Sequence, residues 1–123
     1  MLIGVGCDVI EIARVQKAIE REAFVERVYA PSEIAYCRSR GKQAAASFAA
    51  RFAAKEAVLK ALGTGLRGGE LTEIGITNDD LGKPSVQLYG YHVELAKKLG
   101  VKNIALSMSH SRAMALAYVV MEG

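Results

Sequence analysis

The stretch RFAAKEAVLKALGTG, residues 51–65, decides the fold, because it predicts a long alanine-rich helix that ends at a Gly-Thr-Gly turn. The alanine-rich composition favours helix over residues 42–62, and Gly63 suits the position just after the helix end. A helix this well suited to burial nevertheless carries four charged residues, Arg51, Lys55, Glu56 and Lys60. They form either ordinary surface pairs or a site for a phosphate ester and a divalent metal.

The spacing of apolar residues predicts the elements around this helix. We expect a strand over residues 2–10, a helix over 12–29 that ends before Pro31, and a shorter helix from there to about Arg40. Further elements are predicted as strands 71–76 and 85–89 around a turn, a helix over 90–100, and strands 103–110 and 114–121. Few parallel crossovers are possible in this order, which indicates an α+β fold. We therefore expect one small domain, residues 1–123, in which a mixed or antiparallel sheet packs against the long helix.

Composition narrows the functional classes. With 51% hydrophobic and 24% charged residues, the 123-residue chain should form a packed core. A chain this short has little room for a deep two-substrate pocket, so we expect any such pocket between copies. The net charge of +3 favours an anionic partner, but the low aromatic content and lack of a basic run argue against nucleic acid. No apolar run is long enough for a membrane span, and two cysteines without metal-ligand spacing fit a cytoplasmic protein.

Asp8 is the first candidate site residue. It shares one face of the predicted first strand with Gly4 and Gly6, so its carboxylate could reach a ligand without obstruction by side chains. The alternative is that Asp8 caps the helix that follows. The opposite face of the strand is apolar and is expected to face the core: Ile3, Val5, Cys7 and Val9.

Glu56 is the second carboxylate. It should lie at the border of the core beside Phe52 and Leu59, or else form an ordinary surface pair with Lys60 four residues later. Mg²⁺ typically binds one or two carboxylates together with substrate phosphates and waters. Asp8 and Glu56 would supply that number, so together they predict a magnesium site.

Cations and glycines could complete a phosphate site around this pair. Lys60, Lys55 and Arg51 could neutralise phosphate oxygens. The turn at residues 63–65 offers bare backbone to a ligand, although it could serve only to stop the helix. His110 lies beside hydroxyl groups at the end of a predicted strand, where it could bind phosphate, move a proton or act only as a structural residue.

A basic stripe marks the first helix. Arg14, Lys17 and Arg21 fall within about a quarter of its circumference. Such a stripe is either an ordinary solvated face or a docking surface for an acidic protein partner, for which charges speed encounter and set orientation.

Five motifs in order are together similar to those of the holo-acyl-carrier-protein synthases, the short bacterial phosphopantetheinyl transferases. They are GCD at 6–8, FAAKEAVLK at 52–60, GTG at 63–65, GKP at 82–84 and SMSH at 107–110. The resemblance covers the whole chain. Cys7 replaces a residue that is more often branched and aliphatic in the family, and Lys17 matches no family position.

The resemblance implies transfer of 4′-phosphopantetheine from coenzyme A to a serine of apo acyl carrier protein, with release of adenosine 3′,5′-bisphosphate, in fatty acid biosynthesis. It also implies Mg²⁺ bound by Asp8 and Glu56, and a homotrimer with active sites between subunits. Lys60 would bind the pyrophosphate, and Arg14 and Arg21 would dock the carrier protein. The other residues implied in coenzyme A binding are Arg51, Gly63, Thr64, Gly65, Gly82, Lys83, Pro84 and His110.

The sequence leaves two points of chemistry open. The proton of the carrier serine could pass to Glu56 or to a metal-bound water near Asp8. A Mg²⁺-dependent phosphohydrolase would also need both carboxylates, whereas a non-enzymatic module that binds coenzyme A or a nucleotide would not. These two classes remain the alternatives to the transferase.

Overall fold

The computed structural model describes the whole chain, Met1–Gly123. It contains five α-helices: α1 Ile12–Ala18, α2 Glu22–Val28, α3 Pro31–Arg38, α4 Ala44–Leu62 and α5 Gly90–Leu99. The five strands are β1 Leu2–Glu11, β2 Ile74–Asn78, β3 Pro84–Leu88, β4 Asn103–His110 and β5 Met114–Glu122. Single 3₁₀ turns at Gly41–Gln43 and Leu71–Glu73 precede α4 and β2. None of the helices combines the length and apolarity that crossing a membrane requires.

The strands form two antiparallel sheets. In the larger one, β5 lies between β1 and β4, and in the smaller one β2 pairs with β3. Asp8 is opposite Ala117 of β5, and Ala117 is opposite Met108 of β4. This antiparallel arrangement with helices confirms the predicted α+β class.

Helix α4 packs directly on the three-stranded sheet. It is buried on nearly every side, as its alanine content predicts, because small side chains let the backbones approach closely. A side chain at Gly4 would meet the carbonyl oxygen of Ala61, and one at Gly6 would meet that of Ala57. The bare face of β1 therefore accommodates the helix rather than a ligand.

The apolar face of β1 points away from this core. Val5 and Val9 are exposed, as are Leu116 and Tyr118 beside them on β5. The expectation that this side of β1 faces the core is therefore wrong. The glycines invert the orientation, since only the face without side chains can approach α4 closely enough to pack.

The predicted helix over 12–29 is also wrong, because the chain breaks between Ala18 and Glu22. A continuous helix with Val15 on its buried side would place Glu22 and Glu26 on that side as well. The break changes the phase, so that Val25 and Val28 are buried instead.

Candidate active site

The strand β1 and the helix α4 bring Asp8 and Lys60 together from distant parts of the sequence. The Nζ of Lys60 lies 3.1 Å from Oδ1 of Asp8 and donates to the carbonyl oxygen of Cys7 at 3.0 Å. The lysine side chain is 56% exposed and that of Asp8 is 19% exposed. Asp8 does not cap a helix, because α1 begins only at Ile12. The carboxylate is therefore available beside a solvent-accessible cation.

Glu56 lies one turn before Lys60 and is only partly exposed. Burial raises the pKa of its carboxyl group, the negative charge of Asp8 raises it further, and Lys60 lowers it. Glu56 and Asp8 thus interact electrostatically across the contact between α4 and β1. Two carboxylates in this position favour a shared cation, which would relieve their repulsion.

The donor set at this contact fits Mg²⁺. No group of three or more His, Cys, Asp or Glu side chains forms a protein cage for a metal ion anywhere in the chain. Two carboxylates, Asp8 and Glu56, are the usual protein contribution to a Mg²⁺ site that takes its other ligands from substrate phosphates and water. The residues present therefore suit a magnesium ion that is bound together with a phosphorylated substrate.

A second polar site surrounds Arg51 and His110. Both line an open groove of about 410 Å³, to which Arg40 adds a third basic side chain and no acidic side chain contributes. Arg51 is 3% exposed, its guanidinium stacks 4.3 Å from the ring centroid of Tyr36, and its Nη2 donates to Oδ1 of Asn78 at 2.6 Å. The Nε of Arg51 has no partner. A buried guanidinium with an unsatisfied donor beside a basic groove is suited to an anion.

The turn before β3 reaches this groove through Gly82. Asn78 donates from Nδ2 to the carbonyl oxygen of Gly82 at 3.0 Å while its Oδ1 accepts from Arg51. Lys83 and Pro84 do not line the groove, and Pro84 is the first residue of β3. The structure thus brings Gly82 to Arg51 and leaves the next two residues outside.

The two polar sites lie on different sides of α4. Arg51 and Lys60 are nine positions apart on that helix, which is about two and a half turns and about 13 Å along its axis. Asp8 and His110 lie on opposite edge strands of the sheet, separated by β5. One copy of the chain therefore does not unite all the predicted phosphate contacts.

The comparisons with known proteins agree with this arrangement of motifs. A family model described as the 4′-phosphopantetheinyl transferase superfamily matches residues 4–119. The chain belongs to this superfamily. A holo-[acyl-carrier-protein] synthase of Trichlorobacter lovleyi is 48% identical over 99% of this chain and 98% of its own length. One from Clostridium acetobutylicum is 49% identical, with 99% and 98% covered. The resemblance drawn from the five motifs is confirmed.

Solved structures extend the likeness to the fold. The crystal structure of holo-[acyl-carrier-protein] synthase from Neisseria meningitidis has a TM-score of 0.89 at 37% identity and covers all of both chains. The enzyme from Helicobacter pylori, solved in complex with coenzyme A, has a TM-score of 0.83 at 32% identity and covers 96% of this chain and 99% of its own. The likeness spans the whole transferase fold and includes a protein solved with coenzyme A.

Lys55 does not belong to the phosphate site, contrary to the prediction from the sequence. Its Nζ pairs with Oε1 of Glu33 at 2.8 Å and also donates to the carbonyl oxygens of Leu71 and Ile74. The lysine side chain is fully buried, so all three of its donors are used inside the protein. No part of it remains free to contact a ligand.

Three residues of the groove and the core carried no recognisable signal in the sequence. Tyr36 and Asn78 hold Arg51 in place, and Glu33 pairs with Lys55. Each lies far along the chain from its partner, and none has a helical or strand periodicity that would reveal the pairing. Lys55 itself was the only hint of a buried ion pair. The composition of α4 suits burial, so not every charged residue on it could face solvent.

The remaining predicted groups have clear positions. Gly63 has a left-handed φ of 84° and ends α4, as expected, while the half-buried Thr64 and the exposed Gly65 follow it. Arg14, Lys17 and Arg21 line one shallow surface groove together with Ala18 and Glu20. The break after α1 thus leaves the basic stripe as one continuous surface, defined by Arg14, Lys17 and Arg21.

Proposed function

We propose that this chain is a holo-acyl-carrier-protein synthase, which transfers 4′-phosphopantetheine from coenzyme A to a serine of apo acyl carrier protein. The observation that carries the proposal is the meeting of Asp8, Glu56 and Lys60 at the contact between β1 and α4. Relatives named for this activity and the family match over residues 4–119 support it. We take residues 1–123 as a single transferase domain.

Asp8 and Glu56 would hold Mg²⁺, and the ion would neutralise charge on the pyrophosphate of coenzyme A. The carrier serine oxygen forms a bond to the β-phosphorus, and the bond from that phosphorus to the oxygen shared with the α-phosphate breaks. Lys60 would stabilise negative charge on the departing adenosine 3′,5′-bisphosphate, which its exposed ammonium group beside Asp8 supports. We propose that Glu56, whose pKa burial raises, receives the proton of the serine hydroxyl.

The basic groove is proposed to bind the nucleotide phosphates. Arg51, His110 and Gly82 line it, and the absence of an acidic side chain from its lining suits a polyanion. The turn at Gly63, Thr64 and Gly65 is proposed to line the remaining cleft beside Lys60, together with Lys83 and Pro84. The basic stripe is proposed to dock the acyl carrier protein, which is strongly acidic.

We propose that the active protein is a homotrimer whose active sites combine two subunits. Asp8 and Glu56, here called the acidic pair, lie apart from the basic groove around Arg51 on one copy. This separation supports the proposal, because a second copy could bring its own groove to the acidic pair. The exposed apolar face of the sheet, with Val9 and Tyr118, would then be covered by a neighbouring subunit. With coenzyme A as donor and both cysteines free, we place the reaction in the cytoplasm, where thiols stay reduced.

The transfer is tested by mass spectrometry of the carrier. Incubation of the protein with coenzyme A, Mg²⁺ and apo carrier should add a phosphopantetheine-sized mass to the carrier, and a carrier whose serine is replaced by alanine should gain nothing. Asp8→Ala and Glu56→Ala should each abolish the gain without changing the thermal unfolding curve. Phosphate release without a carrier would instead identify a phosphohydrolase, and binding without any product a non-enzymatic module.

The composite site is tested by mixing inactive variants. Glu56→Ala and His110→Ala subunits, unfolded together and refolded, should recover part of the activity, because some mixed sites receive an intact acidic pair from one copy and an intact groove from another. Asp8→Ala mixed with Glu56→Ala is the matched control and should recover nothing, since both residues act in the same half. Recovery in neither mixture, or a monomer by native mass spectrometry, would rule out the composite site.

A further inference from the structure

The segment of residues 63–70, here called the glycine-rich loop, has an open beginning. The amide of Gly63 donates to the carbonyl oxygen of Lys60 at 3.1 Å, so the loop leaves α4 directly beside the cation that pairs with Asp8. Gly63 and Gly65 both have positive φ, and no atom lies within 4 Å of the position that a Cβ would occupy at either. The first half of the loop therefore presents free backbone next to the acidic pair.

The end of the same loop is closed against α5 and the 3₁₀ turn before β2. A Cβ at Gly68 would lie 2.8 Å from ring carbons of Tyr91, and a Cβ at Gly69 would lie 3.1 Å from Nε2 of His92. The amide of Glu70 donates to Oε1 of Glu73 at 3.2 Å. Gly69 therefore has no room for a side chain, and one at Gly68 would have to displace the Tyr91 ring, in contrast to the open glycines at the beginning.

The burial of His92, a polar side chain in the contact between the glycine-rich loop and α5, needs an explanation. It is fully buried, and neither ring nitrogen makes a hydrogen bond of good geometry, although its Nε2 lies 3.9 Å from Oε1 of Glu73. Burial lowers the pKa of His92, and the Glu73 carboxylate and the backbone of Glu70 oppose this effect. An unpartnered buried polar group is costly and calls for a reason in the native structure. The reason that the geometry offers is the close packing of the imidazole under Gly69.

Glu73 connects the parts of this anchor. Its carboxylate receives the Glu70 amide, lies beside His92 and fills the space over Gly90, where a Cβ would be 2.7 Å from its Cδ. Its own carbonyl oxygen accepts from the amide of Tyr89 at 2.9 Å. The residue therefore joins the glycine-rich loop to the start of α5.

We propose that Glu73 and His92 are positioning residues that hold the end of the glycine-rich loop, and thereby the open turn at Gly63–Gly65, for the binding of coenzyme A. The inference rests on the proposed function, because only there is the turn assigned to the cofactor cleft. Neither residue touches the reacting groups. A loop without its anchor must lose more conformational freedom when a ligand binds, so affinity for that ligand falls.

The first test removes the acceptor from the anchor. Glu73→Ala should raise the KM for coenzyme A about fivefold, the scale of one lost hydrogen bond, and leave the KM for the carrier within about twofold. Glu73→Gln keeps an acceptor oxygen for the Glu70 amide and should restore most of the affinity. Glu94→Ala, the matched control, removes an exposed carboxylate of α5 that contacts only Lys97, and it should change neither constant.

A second pair of variants tests the contact without touching the carboxylate. Gly69→Ala and Gly100→Ala both place a Cβ at a positive φ, but only residue 69 then collides with Glu73, Tyr91 and His92. Gly69→Ala should raise the KM for coenzyme A, whereas Gly100→Ala should cost stability alone. A Gly69→Ala protein that folds and keeps the wild-type KM would overturn the proposal.

Hydrogen exchange separates this inference from the proposed function, because it requires no activity. Amides of residues 64–70 should exchange faster in Glu73→Ala than in the wild type, with the sheet unchanged. Unchanged exchange in the loop, a Gln variant that behaves like the Ala variant, or equal rises in both KM values would each overturn the positioning role. Absence of transfer by the wild-type protein would overturn the proposed function instead and leave the exchange result to decide on the anchor.

Discussion

Two lysine–carboxylate pairs lie five positions apart on the same helix, and they have opposite characters. Lys55 and Glu33 approach to 2.8 Å with their side chains 0% and 1% exposed. Lys60 and Asp8 approach to 3.1 Å with 56% and 19% exposed. Both lysines belong to the motif that carries the family resemblance, yet only one of them can meet a substrate.

The difference lies in how completely the partners satisfy each lysine. Lys55 donates to three acceptors, and the second oxygen of Glu33 accepts from the amide of Ile76 at 3.0 Å, so the buried pair joins α3, α4 and β2. Lys60 has two partners and faces solvent. A cation whose donors are all used holds the fold together, whereas one with a free donor can bind an anion.

Breaking the buried pair should have the largest effect. Lys55→Met leaves the Glu33 carboxylate buried without its cation and the carbonyl oxygens of Leu71 and Ile74 without a donor. We expect a loss of about 3–5 kcal/mol in the free energy of unfolding. Urea unfolding followed by circular dichroism measures it.

The double variant Glu33→Leu with Lys55→Met is the control for that loss. It removes both charges and should regain part of the stability, because no uncompensated charge remains. The recovery should be incomplete, since replacing Glu33 also deprives the Ile76 amide of its acceptor. A single Lys55→Met variant with wild-type stability would contradict the structural role of this pair.

Breaking the exposed pair should affect activity and spare the fold. Lys60→Met removes the cation that we assign to the leaving group, and we expect kcat for transfer to fall about a hundredfold. The free energy of unfolding should change by less than about 1 kcal/mol, because the pair is partly solvated. Steady-state kinetics with saturating coenzyme A and carrier, alongside urea unfolding, would show whether the two lysines differ as described.

The sequence could predict the features that depend on local pattern. Alanine content identified α4, and alternation identified β1. The preference for glycine just after a helix correctly placed the end of α4 at Gly63. The number of carboxylates that Mg²⁺ accepts and the family motifs led us to expect Asp8 and Glu56 at one site, and the influence of Asp8 on the pKa of Glu56 is compatible with that expectation. Their assigned roles remain predictions.

The features that the sequence could not predict depend on which surfaces of the protein pack against each other. Nothing in the alternation of β1 says which face packs inward, and here the close approach of Ala57 and Ala61 to the two glycines decides it. The same limit applies to Lys55, which looks like Lys60 until Glu33 is known to lie against it. Tertiary contact, rather than local propensity, determines both.

Two arginines of the basic stripe extend the comparison of the lysine pairs, because they are cations without an acidic partner. Arg14 and Arg21 are exposed, and neither forms an ion pair in the protein. Arg14→Glu or Arg21→Glu should raise the KM for acyl carrier protein about tenfold and reduce the dependence of the rate on salt, with the KM for coenzyme A unchanged. Stopped-flow or steady-state assays over a range of salt concentrations measure both effects.

Lys98→Glu, on the exposed surface of α5, makes the same change in net charge away from the basic stripe. It should leave the KM for the carrier nearly unchanged. Equal effects of all three substitutions would mean that net charge alone attracts the carrier, and docking through the basic stripe would be wrong.

His92 completes the series as a buried group without a hydrogen bond of good geometry, and its removal should change stability by the smallest amount. Because burial lowers its pKa below the ordinary value of 6.5, the unfolded chain takes up a proton on acidification before the native protein does. Between about pH 7.5 and about pH 5.5, the wild type should therefore lose stability relative to His92→Leu, which cannot titrate. Urea unfolding at both pH values measures this difference, with His110→Leu as the control for loss of an exposed imidazole. A difference that stays constant or moves in favour of the wild type at acid pH would show that His92 is satisfied, and it would then resemble Lys55 rather than stand apart from it.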